Sequence, residues 1–125
     1  MKTCQFLLIT LTCFLAFNHF EVVSAQLTKT PNGGVIIGNC SEETDYVLDT
    51  EDVKEKPHLG RPSYEEESFS FKDDQIKCVK VLPYRYNGNQ VEVSVVSGGV
   101  NQNNIRLRFE SQPGQGIYYQ VLVMG

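Results

Sequence analysis

From Ile105 to Glu110 the chain alternates without a break: Ile105, Leu107 and Phe109 are apolar, and Arg106, Arg108 and Glu110 are charged. Successive side chains of an extended strand point to opposite sides, so this run predicts a strand with one dry face and one wet face. A helix would scatter the same residues around its circumference. Ser97-Gly98-Gly99 ahead of it and Gln112-Pro113-Gly114-Gln115-Gly116 behind it are turn signals. In the last stretch Ile117, Tyr119, Val121 and Val123 alternate with Tyr118, Gln120, Leu122 and Met124, and both sets are largely apolar. Such a strand is expected in the middle of a sheet, covered on both sides.

The same reasoning gives strands further back. Val35-Ile36-Ile37 follows the punctuation Thr30-Pro31-Asn32-Gly33-Gly34 and closes at Gly38. Asp45 to Asp49 reads as strand in preference to one helical turn running on through Val53. Ser68-Phe69-Ser70-Phe71-Lys72 alternates, and Gln75 to Leu82 is rich in β-branched residues until Pro83 stops it. Asn87-Gly88 supplies the residues of a type I′ hairpin turn ahead of the alternating Val91 to Val95. Lys56-Pro57-His58-Leu59-Gly60-Arg61-Pro62-Ser63, broken by prolines and a glycine, predicts a long loop. Short strands with turns about every 10 residues and no helical period predict an all-β fold, a small antiparallel β-sandwich or barrel.

The first residues stand apart from that pattern. Lys2, the apolar run Phe6 to Phe17 and the small residues Val23-Ser24-Ala25 have the order of a signal peptide over residues 1–25, too short to span a membrane as a helix. Residues 26–125 then form a single β domain starting at Gln26, with no membrane anchor after cleavage. Cleavage would remove Cys4 and Cys13 and leave Cys40 and Cys78 in an oxidising compartment, where they are expected to form one disulfide. With Cys78 in mid-strand and Cys40 beyond another strand, that bond would staple two sheets together. Asn39-Cys40-Ser41 is also the chain's N-x-S/T sequon, which makes Asn39 a candidate for N-glycosylation in competition with pairing of Cys40.

Charge and motifs exclude more than they propose. The chain carries a formal charge of −4 and no basic tract, a poor footprint for phosphate backbones, so no nucleic acid is expected as a direct partner. Acidic residues crowd Glu42 to Glu67, read as a solvated loop face. Glu65-Glu66-Glu67 lacks the spacing of a calcium loop, and His58 has no second histidine in the mature chain to act with. Gly33 to Gly38 and Gly114-Gln115-Gly116 do not match a phosphate-binding motif. Neither a catalytic constellation nor a metal or cofactor site emerges, and the chain is not expected to be an enzyme. The segment Gln120 to Gly125 is faintly similar to the Q-x-V-x-G hairpin of cystatins, with the valine and glycine one position late.

Ile76-Lys77-Cys78-Val79-Lys80-Val81-Leu82, then Asn87-Gly88, Ser97-Gly98-Gly99-Val100, Asn103-Asn104, Ser111-Gln112, Gly116-Ile117 and Gly125 together resemble the insect multiprotein bridging factor 2 family. Gly38-Asn39 and Asp45-Tyr46-Val47 extend the likeness, whereas Pro83-Tyr84-Arg85 stands where that family tends to have an acidic residue and an amide. The resemblance implies two functions. One is a secreted non-enzymatic binding protein, of the kind found as salivary or midgut peptides linked to feeding or response to pathogens. The alternative is a transcriptional coactivator bridging a nuclear receptor and a general transcription factor. The leader favours the first, extracellular reading, with a protein as the expected partner.

Overall fold

A computed structural model describes residues 27–41, 45–86, 88 and 90–125. Residues 1–25, where a leader is expected, and Gln26, Glu42, Glu43 and Asn87 lie outside the described residues. Among the described residues eight strands follow one another: β1 (Leu27–Lys29), β2 (Val35–Gly38), β3 (Val47–Glu55), β4 (Tyr64–Ser70), β5 (Cys78–Pro83), β6 (Glu92–Gly98), β7 (Asn104–Glu110) and β8 (Ile117–Met124). They form two antiparallel sheets, one of five strands ordered β1-β2-β5-β8-β3 and one of three ordered β4-β7-β6. The chain is an all-β sandwich.

Register explains why the sheets face each other. In the larger sheet Ile37 lies beside Val79 and Val79 beside Val123, while Val35, Val81 and Val121 make the next row. In the smaller one Phe109 stands between Glu65 and Val93, and Leu107 between Glu67 and Val95. All the apolar residues in these rows except the half-buried Val95 are buried, as are Ile105 and Phe69, so the inner faces close on one core. Burying side chains of this size stabilises by about 1.5–3 kcal/mol each. The dry face of β7 is the one its alternation predicts, and Arg106 on the wet face reaches Glu66 at 2.7 Å.

Four expectations need correction. The strand over Gln75 to Leu82 starts only at Cys78, because the backbone of Ile76 is bonded to the loop after β6: its N–H donates to Gln102 O at 2.8 Å, and its carbonyl accepts from Asn101. Cys78 therefore opens β5, opposite Gly38 at the end of β2, and its bond to Cys40 (Cα–Cα 5.1 Å) joins neighbouring strands of one sheet instead of two sheets. No hairpin joins β5 to β6, since they belong to different sheets and the segment between them crosses the sandwich. The acidic run is largely strand: Asp49 and Glu51 lie on β3 and Glu65 and Glu67 on β4, edge strands whose charges discourage pairing with other chains. Burial, then the neighbouring Glu51, Glu65 and Asp49, hold the Glu67 carboxyl above its ordinary range.

Two details were not legible beforehand. The short strand β1 adds to the edge beside β2, and its Lys29 reaches Glu92 of β6 at 3.6 Å across the sandwich. β8 is inside its sheet as expected, but Tyr118 on its outer face is exposed, so the second apolar set is covered only in part.

Candidate functional site

Strand direction sorts the loops into two ends. β5 runs from Cys78 at one end to Pro83 at the other, and its antiparallel partner β8 starts beside Pro83 and finishes beside Cys78. At the second end Pro57, Arg85, Tyr86, Val91, Gln115 and Gly116 meet around a cleft of about 340 Å³. Val91, Ile117 and Tyr119 give it apolar walls, Tyr86 and Tyr118 add rings, and Glu55 and Arg85 supply charge. A second, shallower depression shares Glu55, Ile117 and Tyr118 and adds Lys54 and Lys56.

The tyrosines converge because of register. Tyr118 leads β8 next to Lys54, whose ammonium lies 4.8 Å from the centre of the phenol ring, a favourable cation–π distance. Tyr84 follows β5, donates its N–H to Tyr118 O at 3.3 Å and stacks on Tyr118 with ring centres 4.3 Å apart. Its hydroxyl crosses to β3 and donates to Asp52. That bond holds the Tyr84 phenol up at about 12. The ring of Tyr86 packs so closely over Gly33, which has a φ of 79°, that a Cβ there would overlap it. Exposure separates the rings: in the cleft Tyr86 and Tyr118 are 53% and 47% exposed and can touch a ligand, whereas Tyr119 is 5% exposed, and Tyr84, 43% exposed, lies against Tyr118 outside the lining. Burial, followed by the nearby Tyr86, pushes the Tyr119 phenol up.

Beneath the cleft two buried serines hold the loops. Ser63 N–H donates to Ser111 Oγ at 2.8 Å, and Ser111 N–H returns a bond to Ser63 O at 2.9 Å. The Ser63 hydroxyl has one proton for Lys56 O at 2.8 Å or Gln115 O at 3.0 Å, and Ser111 Oγ reaches Gln115 O at 2.7 Å. Gly116 is required here, because a Cβ would press on Glu55 O at 2.8 Å and on Pro57. The pair satisfies carbonyls of loops that have no ladder to bond with.

The residues singled out from sequence lie elsewhere. Cys40 and Cys78 are joined at the opposite end, with Cys78 fully buried, and Asn39 beside them is exposed. His58 is at the cleft's end but faces Glu55, its Nε2 3.2 Å from Oε1. Among the described residues no group of three or more His, Cys, Asp or Glu could hold a metal ion, and no helix is long and apolar enough to cross a membrane. The tyrosine site was missed because Tyr84 and Tyr118 are far apart in sequence. Its one trace was the departure at Pro83-Tyr84-Arg85.

A family model described as Transcription activator MBF2 matches residues 37–125, from β2 through the end of β8. The chain belongs to this family. A curated relative, the "Probable salivary secreted peptide" of Bombus ignitus, is 25% identical over 120 residues, covering 86% of this chain and 90% of its own length. No solved structure matches. The MBF2 match contains the bridged Cys40 and Cys78, both buried serines, the cleft tyrosines Tyr86, Tyr118 and Tyr119, and Tyr84 stacked on Tyr118.

Proposed function

We propose that this MBF2-family chain is a secreted, extracellular, non-enzymatic binding protein, cleaved after Ala25, and that its tyrosine-lined cleft is the binding surface. The observation that carries the reading is the Cys40–Cys78 bridge, since such a bond persists in oxidising compartments and is rare in the nucleus. A relative named as a salivary secreted peptide, matched over most of both chains, supports the same compartment. A feeding-related or pathogen-responsive role is part of this proposal. Asn39 is exposed and is proposed to accept a glycan when the sequon is reached before Cys40 pairs.

The family's description as a transcription activator favours a second reading, a coactivator bridging two nuclear proteins. Expression of the untagged full-length chain in insect cells separates the two. A C-terminal tag is best avoided, because Gly125 exchanges two backbone bonds with Tyr46 at 2.9 and 3.0 Å. Secretion predicts chain in the medium whose intact mass starts at Gln26, with no thiol to label. Uncleaved chain in the nucleus would overturn the assignment in favour of the coactivator.

A further inference from the structure

We propose that the cleft takes a small planar aromatic anion, with its rings against Tyr86, Tyr118 and the Ile117 wall and its anionic group on Arg85. This rests on the cleft being the binding surface and adds the ligand's chemistry. Its volume of about 340 Å³ falls at the small-molecule end of ligand clefts, enough for two fused or linked rings and too little for a folded chain segment. The apolar walls and tyrosine rings favour a flat, aromatic body, since rings pair by offset stacking or edge to face.

Charge sets the sign of the polar group. The chain is acidic overall, yet Arg85 lines this cleft, and Lys54 and Lys56 line the depression that adjoins it. Its carboxylates are already engaged, Asp52 by the Tyr84 hydroxyl and Glu55 by His58. Arg85 and Lys56 pair with no carboxylate among the described residues. A guanidinium offers a planar fork that fits a carboxylate or sulfonate with two bonds, which Lys56 alone would not. The Tyr119 hydroxyl bonds no described residue, and no described buried side-chain polar atom lacks a partner, so that hydroxyl opens to the cleft and can donate to the same ligand.

Two dyes with the same rings test this on the secreted mature protein. 1-Anilinonaphthalene-8-sulfonate carries the anion, N-phenyl-1-naphthylamine lacks it, and both brighten on leaving water. Near-UV circular dichroism first establishes native packing in each variant, because loosened chains also bind the sulfonate dye. The proposal expects saturable one-to-one binding of the sulfonate. Arg85→Gln should weaken it by about tenfold or more, the scale of a lost charge-assisted bond, and leave the neutral dye within about twofold. If both dyes bind the wild-type chain and Arg85→Gln changes neither, or weakens both equally, the anionic ligand is refuted while the cleft remains a binding surface. If neither dye binds saturably, the cleft reading falls with it.

Discussion

The sandwich is closed at one end and open at the other, and the difference lies in what holds the loops. At the closed end the Cys40–Cys78 bond, the backbone bonds of Ile76 to segment 101–102 and the pairing of Tyr46 with Gly125 join both sheets and the chain's last residue. Ile76 itself is fully buried there, and Asn101, at a φ of 69°, takes the left-handed conformation that asparagine tolerates. Among the described residues the open end has no covalent tie. Its loops are joined by hydrogen bonds alone, those of Ser63 with Ser111 and of Gly114 N–H to Arg61 O at 2.9 Å among them, and Tyr86 and Tyr118 are exposed.

The comparison is broken most readily at the fastened end. Ile76→Ala should destabilise by about 2–5 kcal/mol in a denaturant titration, through lost burial and the cavity left between the sheets. Replacing Cys40 and Cys78 together by serine should cost about 2–4 kcal/mol, since the bond closes a separation of 38 residues. If either change costs less than the open-end substitutions, the closed end is not the anchor.

Smaller effects belong to the cleft. Ser63→Ala removes the one proton offered to Lys56 O or Gln115 O, of which Gln115 O keeps the Ser111 hydroxyl, and should cost about 0.5–1.5 kcal/mol. Its distinguishing sign would be weaker ligand binding, which the cysteine variant should keep wherever it remains folded. The smallest effect is the Tyr84 bond to Asp52. Because the folded phenol titrates near 12 against an ordinary 10, its stabilisation is complete below about 10 and disappears as pH rises to about 12. Following phenolate absorbance, Asp52→Asn should bring one tyrosine back toward 10. Unchanged titration would mean that the Tyr84–Asp52 bridge does not form in solution.

Strand type was legible wherever one face is wet and one dry, as at Ile105 to Glu110, because alternation is set by the backbone of a single strand. The family was legible from the order of turns between Ile76 and Gly125, and the cysteine pair from its isolation once a leader is removed. Partner choice was not. A bridge between adjacent strands and a bridge between sheets require the same two residues, and only the Gly38–Cys78 register distinguishes them. Asn87-Gly88 has hairpin chemistry, yet the strands around it find better partners in β2, β7 and β8. Ser63 and Ser111 look like ordinary loop serines until the fold buries them against each other. The cleft belongs to the same class. Tyr84, Tyr86, Tyr118 and Tyr119 are distributed over two distant segments, and what brings them to one mouth is the antiparallel pairing of β5 with β8, a long-range choice made by core burial that no local stretch of sequence encodes.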